Sequence, residues 1–310
     1  MKGFKNNHIL NIYHMLEEKI KKRISNLLND NIVQKKLENK RILVLSGGGL
    51  KGMSHIGVLQ AMHDYDCLKN IDTFAGSSIG SIMATLIILG FSPKDIADLI
   101  LFLDISKLGK FKIDNILNEY GLDNGDKFVL AIKKIFNSMG FAENTTFKNL
   151  YDRTKKKLIV TASCINTKSV VYYSVDTNPD MECIMALRMS ISIPFYFTPV
   201  KYKNYYYVDG SCIDNYPIHL FQNNLEQVIG IYLVDQPIHT EKIDNFESLL
   251  LNTVETLFEG VNYNSYRGYE NYSIKINVSD LTFMDLGLNM EKKKELIDIG
   301  YHSFVNKFID

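Results

Sequence analysis

The sequence predicts an α/β fold in which a mostly parallel central sheet is flanked by helices. The run Ile42 to Leu45 is apolar at all four positions, which is typical of a strand buried on both faces of a parallel sheet. A glycine loop follows, then a helical pattern from Met53 to His63, and then a second short strand from Asp72 to Ala75. Strand, helix and strand in this order make a parallel pair with a right-handed crossover.

Composition sets the broad class of the protein. A chain of 310 residues is long enough for one large domain or two smaller ones. Its 35 basic and 35 acidic residues balance, so its charge gives no reason to expect nucleic acid as a partner. The cysteines form no Cys-x-x-Cys pair and have no histidine cluster at zinc-ligand spacing, so neither a disulfide framework nor a metal site is predicted. They are Cys67, Cys164, Cys183 and Cys212.

The sequence contains neither a predicted signal peptide nor a predicted membrane span, and this determines the localisation that we expect. The first residues, Met1 to Asn7, lack the apolar core of a signal peptide. The longest apolar run, Ile82 to Leu89, is far shorter than the roughly 20 residues that span a bilayer. We therefore expect an intracellular protein that is soluble or peripherally associated with a membrane.

Residues 1–40 are predicted to form a separate N-terminal segment. From residue 8 to about 38, apolar residues recur at the three- and four-residue spacing of an amphipathic helix. These apolar positions are Ile9, Ile12, Tyr13, Leu16, Ile20, Ile24, Leu27 and Leu28. The basic face of this helix could contact an anionic membrane surface. Docking of the apolar face on the protein's own domain, with the lysines in solvent, is the commoner arrangement.

The rest of the chain, residues 41–310, is predicted to be one domain. Residues 93–154 have mostly helical spacing, with Ser92 as N-cap before Pro93, and are interpreted as a helical insertion over the sheet. Strands at Lys157–Cys164 and Ser169–Ser174 are predicted to form a hairpin or to be adjacent strands. The later elements are a helix at Asp180–Met189, strands at Tyr205–Val208, Val228–Val234 and Tyr272–Val278, and helices at 245–266 and Met290–Phe308.

A Gly-x-Ser-x-Gly pattern at Gly76 to Gly80 has the form of a nucleophile elbow, a strained turn between a strand and a helix. Ser78 occupies its centre. A Cβ atom at Gly76 or Gly80 would crowd the neighbouring strand and helix. The helix that follows is predicted from Ser81 to Leu89. The unpaired N–H groups at its start favour an oxyanion. The alternative is an ordinary helix start, so other stretches must decide.

The glycine loop Gly47 to Gly52 formally matches Gly-x-Gly-x-x-Gly. A dinucleotide site would need a carboxylate at the end of the second strand, but Asp72 opens that strand. A phosphate-binding Walker loop is excluded because Lys51 is followed by Gly52 and Met53 rather than by Ser or Thr. What remains is a set of backbone amides at a helix start, suited to an oxyanion hole.

A nucleophilic serine needs a base, and no histidine has a catalytic context in this sequence. His55 lies inside the helix after the glycine loop and His219 lies near Pro217, so packed or surface histidines are the better interpretation. Asp209, at the end of a strand and before Gly210, is the remaining candidate. The alternative is an ordinary turn aspartate.

Taken together, these stretches resemble the patatin-like phospholipases. The resemblance covers about residues 41–305 and rests on the order of the motifs. The motifs are Ser46–Gly52, Gly76–Gly80, Ser190–Pro199 and Val208–Pro217, followed by a similar closing stretch at Leu286–Tyr301. It implies a three-layer patatin-like fold, related to the α/β-hydrolase architecture. The implied activity is hydrolysis of acyl esters of phospholipids and other lipids, without metal or cofactor.

The resemblance also implies residue roles. Ser78 would be the nucleophile and Asp209 its base, in a dyad without histidine. Ser211 departs from the family pattern, which usually has Gly or Ala after the Asp-Gly pair. The other implied residues are Gly47, Gly48, Gly49, Lys51 and Gly52 in the oxyanion hole, Gly76 and Gly80 in the elbow, and Gly210 with Ser211 in the loop after the base.

Two other functions are possible for the same fold. One is a non-catalytic lipid-binding or scaffold protein on the same fold, and the other is an acyl-CoA or small-ester hydrolase. A fluorophosphonate label on Ser78 separates the first from an enzyme. The aromatic stretch from Phe195 to Phe197 suits an acyl chain, but core packing is the commoner role of such residues.

Overall fold

The computed structural model describes residues 31–102, 116, 118–235, 243–278, 281 and 287–308. The strands are β1 (Ile42–Leu45), β2 (Thr73–Ser77), β3 (Gly121–Asp123), β4 (Lys157–Cys164), β5 (Ser169–Tyr173), β6 (Phe195–Phe197), β7 (Val200–Tyr202), β8 (Tyr205–Asp209), β9 (Val228–Asp235) and β10 (Ser273–Val278). The longer helices are α1 (Met53–Asp64), α2 (Ile79–Leu89), α3 (Pro93–Phe102), α4 (Asp126–Ser138), α5 (Phe147–Thr154), α6 (Cys183–Ser190), α7 (Phe246–Ser265) and α8 (Met290–Phe308).

The main sheet has the strand order β10-β9-β1-β2-β4-β8-β7, and β5 pairs with β4 beside this path. The five strands from β10 to β4 are parallel, whereas β5, β8 and β7 run antiparallel to their neighbours. The predicted α/β fold with a mostly parallel sheet is therefore confirmed. Parallel strands bring their carboxyl ends to one edge, and this edge holds the candidate site.

Both faces of the sheet are covered, as the apolar sequence of β1 predicts. Leu43 and Leu45 enter the larger core with residues of α1, α2, α6 and α8. Ile42 and Val44 enter a smaller core on the opposite face. The smaller core is closed by a short 3₁₀ segment, Pro217–Phe221, and by tyrosines beyond the end of α7. One layer is thus thick and helical, and the other is thin.

Several element ends differ from the prediction for physical reasons. β2 continues past Ala75, because Gly76 pairs with Leu45 and Ser77 with Thr161 in the parallel ladders. The described residues between 93 and 154 are mostly helical, but they also contain the short strand β3, which pairs with β6. The predicted cap of α3 is present, since Ser92 Oγ accepts from the Asp95 amide at 3.1 Å.

Most of the N-terminal segment, residues 1–30, lies outside the described residues, including the apolar stripe from Ile9 to Leu28. Residues 31–37 are helical. Val33 and Leu37 are fully buried in the larger core, and Lys36 Nζ donates to Phe308 O at 2.8 Å. This end of the segment docks on the domain, and membrane contact by the remainder stays a prediction. Among the described helices, none combines the length and the apolar character needed to cross a membrane.

Candidate active site

Ser78 lies in a sharp turn between β2 and α2. Its backbone has φ 50° and ψ −125°, a strained conformation for a residue with a side chain. A Cβ atom on Gly76 would lie 2.5 Å from the carbonyl carbon of Gly80, and one on Gly80 would lie 2.3 Å from Leu45 O. Only glycine fits either position without movement of the backbone. The turn therefore presents the Ser78 side chain beside the N-terminus of α2.

The Ser78 hydroxyl contacts one carboxylate directly. Ser78 Oγ donates to Asp209 Oδ2 at 2.8 Å. Asp209 is the last residue of β8 and pairs with Ala162 of β4, so the sheet brings the two side chains together across β4. Its other oxygen, Oδ1, accepts from the Ser211 amide at 2.8 Å. Both side chains are buried, with residue exposures of 6% for Ser78 and 1% for Asp209.

The environment of Asp209 makes it a stronger base than an exposed carboxylate. Burial raises the pKa of Asp209 from 3.8 to about 6, and hydrogen bonds from Ser211 and Ser78 act in the opposite direction. This pKa is close to the ordinary value for histidine, about 6.5. At neutral pH the carboxylate is mostly ionised, yet it binds a proton far better than an exposed aspartate does.

The motif that begins at Ser190 supports the elbow from the other side. The Ser78 amide donates to Ser190 Oγ at 2.9 Å, and Ser81 Oγ donates to Ser78 O at 2.6 Å. Ser190 is the last residue of α6 and is fully buried. Two sequence motifs that are 112 residues apart are thus joined at the nucleophile's own backbone.

Some residues of the glycine loop line the cavity, and others hold the loop in place. Gly48 (φ 156°) and Gly49 (φ 55°) have backbone conformations that favour glycine, and both line the cavity in front of Ser78, together with Lys51. The Gly47 amide donates to Asn215 O at 3.1 Å, so it is engaged in holding the loop. Gly52 packs against Ile79, and the Ile79 side chain leaves no space for a Cβ atom on residue 52. Gly48, Gly49 and Lys51 are therefore the members of the predicted oxyanion set that line the cavity.

His55 supports this loop from below. Its Nε2 donates to Ser46 O at 2.9 Å, and the ring is fully buried. Burial lowers the pKa of His55 to about 4, so the ring is neutral at physiological pH. His219 lies elsewhere, against the Tyr172 hydroxyl and Asp214. These placements agree with the interpretation of both histidines as packed or surface residues.

The loop after the base is tightly packed. A Cβ atom on Gly210 would lie 2.5 Å from Ser77 Oγ and 2.6 Å from Thr161 O, so this position requires glycine. Ser211, the residue that departs from the family pattern, donates through Oγ to Asn215 Oδ1 at 2.5 Å. Asn215 donates in turn to Asn262 of α7. The serine therefore connects the catalytic loop to a helix above it.

Helix α7 covers the site. The cavity in front of Ser78 has a volume of only about 30 Å³. Its upper wall consists of the α7 residues Glu255, Phe258, Glu259 and Asn262. Burial raises the pKa of Glu259, while the charge of Lys51 lowers it. The sequence predicts the helix but not its place, although the spacing of these four residues marks them as one helix face.

Other candidate features lie away from this cavity. Phe195 is exposed and Tyr196 is buried with Leu122 and Leu251, and neither is among the residues that line the cavity. This favours the packing role for Tyr196 and for Phe197, which packs against the same cluster, but not for Phe195. Within the described ranges, no cluster of three or more His, Cys, Asp or Glu side chains is suited to a metal ion, and independence from metal stays a prediction.

Comparisons with known proteins identify the family and the fold. The family model for patatin-like phospholipase matches residues 43–221. Uncharacterized protein R571 of Acanthamoeba polyphaga mimivirus is 30% identical over 302 residues, which cover 90% of this chain and 98% of that protein. The probable lipid hydrolase 463L of Invertebrate iridescent virus 6 is 32% identical over 183 residues, which cover 58% of this chain and 62% of that protein.

Among solved structures, VipD from Legionella pneumophila has a similar fold, with a TM-score of 0.65 at 18% identity. The match covers 87% of this chain and 67% of the VipD chain. The family match, the full-length relative and the shared fold agree with one another. The chain belongs to the patatin-like phospholipase family.

Proposed function

We propose that this protein hydrolyses acyl esters of lipids through an acyl-enzyme on Ser78, with Asp209 as the general base. The observation that carries the proposal is the 2.8 Å hydrogen bond from Ser78 Oγ to a fully buried carboxylate with a pKa of about 6. Membership of the patatin-like phospholipase family supports lipid acyl hydrolase activity. The name of the viral relative, a probable lipid hydrolase, points to the same substrate class.

The first half of the reaction forms the acyl-enzyme. Ser78 Oγ attacks the ester carbonyl carbon while its proton moves to Asp209 Oδ2. The carbonyl oxygen becomes an oxyanion, and the amides of Gly48 and Gly49, residues that line the cavity, serve as its hydrogen-bond donors. When the carbon–oxygen bond to the alcohol breaks, the alcohol leaves with the proton from Asp209. The acyl group is then bound to Ser78.

The second half repeats these steps with water. A water molecule attacks the acyl carbon and gives its proton to Asp209. Collapse of the intermediate releases the fatty acid, and Ser78 Oγ regains the proton. Lys51, which lines the cavity and is buried, adds positive charge near the developing anion. The whole cycle uses side chains and amides of this chain.

A labelling experiment tests the proposal. A fluorophosphonate should label the wild-type protein on Ser78, and Ser78→Ala should lose all labelling and nearly all ester hydrolysis. Ser77→Ala is a matched control, because Ser77 Oγ is buried without a hydrogen-bond partner and its loss breaks no bond. Turnover is measured in excess chelator, since no step uses a metal.

Three results would overturn the proposal. Labelling that survives in Ser78→Ala would place the nucleophile elsewhere. A wild-type protein that binds lipid but neither reacts with the label nor hydrolyses any ester would be a binding protein on this fold. Turnover that disappears in chelator and returns with added metal would require a different mechanism.

A further inference from the structure

Helix α7 is oriented in an unusual way for a helix on the surface of a domain. Surface helices place apolar residues toward the core and charged residues toward water. In α7, the carboxylates Glu255 and Glu259 line the catalytic cavity beneath the helix. The apolar side chains on its other side are in solvent. The polarity of the helix is thus inverted where it covers the site.

The outward side of α7 carries no charge. Positions 246, 249, 250, 253, 256, 257, 260, 263 and 264 share one side of the helix by their spacing, and they hold only Phe, Leu, Thr, Gly, Tyr and Asn. The most exposed members are Phe246 at 67%, Leu249 at 51%, Leu257 at 65% and Tyr263 at 75%. We call these four residues the outer face. Apolar residues that cluster in this way mark an interaction surface rather than ordinary scattered exposure.

The cavity in front of Ser78 is too small for the proposed substrate. Its volume of about 30 Å³ has space for about two water molecules. Pockets that bind small organic ligands are typically about 300–1,000 Å³. A lipid ester therefore reaches Ser78 only after α7 moves, which makes the helix a cover over the site.

The attachment of α7 is compatible with such movement. Of its described side chains, only Leu251, Val254 and Asn262 are buried. Leu251 packs with Tyr196 and Leu122, and Asn262 accepts a hydrogen bond from Asn215. Few buried apolar contacts are the mark of an element that opens at low free-energy cost.

Exposed aromatic side chains lie next to the attachment point. Phe195, adjacent to Tyr196, is 39% exposed, and Tyr120 is 59% exposed. Gly121, the residue after Tyr120, pairs with Phe195 across β3 and β6. Aromatic side chains of this kind are enriched where a protein meets the boundary between lipid and water. The apolar outer face and these aromatic residues suit the same kind of partner.

We propose that the outer face of α7 docks on the surface of a phospholipid bilayer or micelle and that this contact moves α7 away from Ser78. The inference rests on the proposed lipid hydrolase function. An uncharged face gains free energy by burying apolar area among lipids, so neutral phospholipid is a sufficient partner. Docking then couples arrival at the substrate surface to opening of the site.

The test uses flotation with neutral phosphatidylcholine vesicles. All proteins carry Ser78→Ala, so that vesicles remain intact. Leu249→Asp and Leu257→Asp should each weaken binding by about tenfold or more, because each removes a leucine from the lipid contact and adds a charge. Leu130→Asp is the matched control, since Leu130 is 54% exposed on α4, a different helix. Binding of the control should equal that of the parent and should be insensitive to salt.

Activity is measured in parallel with Ser78 intact. The α7 variants should hydrolyse a monomeric soluble ester at the wild-type rate and phosphatidylcholine vesicles about tenfold more slowly or worse. Unchanged vesicle binding in both leucine variants would overturn the docking proposal. So would variants that dissociate a dimer, seen by sedimentation, while vesicle binding is kept. Failure of the wild-type protein on both substrates would count against the proposed function, and the flotation result would still decide the docking proposal.

Discussion

The catalytic cavity has two walls that are built very differently. The floor, made by residues 47–52, 76–80 and 209–211, is mostly buried and is tied by hydrogen bonds to other parts of the chain, among them Ser190, Ser192 and Asn215. The cover helix α7 buries few side chains and exposes apolar ones. Chemistry requires groups that are fixed before the substrate arrives, whereas access requires an element that opens at low cost. The floor meets the first requirement, and helix α7 meets the second.

The largest expected effect concerns Asp209, the proposed general base. Asp209→Asn keeps the shape of the side chain but cannot accept a proton, so kcat/KM for a soluble ester should fall by about 10²–10⁴. The wild-type rate should fall as pH drops below about 6, because Asp209 becomes protonated there. His219→Asn is the control and should keep the wild-type rate. Equal loss in both variants, with the fold intact, would replace the dyad with a triad.

Asp209→Asn should lower activity but raise the stability of the folded protein. The pKa of Asp209 is raised by folding from 3.8 to about 6, so the wild-type protein loses stability as pH rises through this window. Asp209→Asn has no charge to bury and should be more stable than the wild type by about 3 kcal/mol at pH 8. The difference should disappear below about pH 4. Denaturant unfolding at several pH values measures it, and a difference that does not depend on pH would contradict the prediction.

The elbow should be intolerant of even one added methyl group. In Gly80→Ala, the new Cβ would lie 2.3 Å from Leu45 O, a backbone atom of the central strand. Overpacking of this kind costs about 1–3 kcal/mol, so the midpoint of urea unfolding should fall clearly. A wild-type midpoint for Gly80→Ala would show that the backbone of the floor is adaptable.

The smallest expected effect is on the cover helix. Gly260 lies inside α7, and an added Cβ would have no neighbour within 4 Å. Gly260→Ala should therefore stabilise the protein by about 0.5–1 kcal/mol, because alanine favours the helix and nothing obstructs it. The urea midpoint measures this change. Destabilisation by Gly260→Ala would mean that α7 packs against something in solution.

Much of the floor could be predicted from the sequence because each of its parts has a local signal. The bounds predicted for β4 and α8 agree with the structure. Gly76, Ser78 and Gly80 are recognisable because a tight strand–turn–helix junction requires small residues at fixed spacing. The ends of β2 were harder to predict, since pairing with β1 and β4 outweighs the low strand preference of Gly76 and Ser77.

The cover could be predicted only in part. Helical spacing in residues 245–266 shows which side chains share a face, but not which part of the protein that face contacts. Glu255, Phe258, Glu259 and Asn262 were therefore not among the predicted site residues. β3 is too short to show the alternation of a strand, and it depends on pairing with β6, more than 70 residues later. A contact between residues so far apart in the sequence cannot be predicted from the spacing of neighbouring residues.

The position of the family match along the chain has a consequence for how this enzyme class diversifies. Residues 43–221 contain the glycine loop, the elbow and Asp209, whereas α7 begins at Phe246, beyond the matched segment. The candidate catalytic residues thus lie within the matched segment, and the helix that covers them lies downstream of it. Exchange of the downstream block between family members is a route to new access and new lipid preference that leaves the hydrogen bond between Ser78 and Asp209 unaltered.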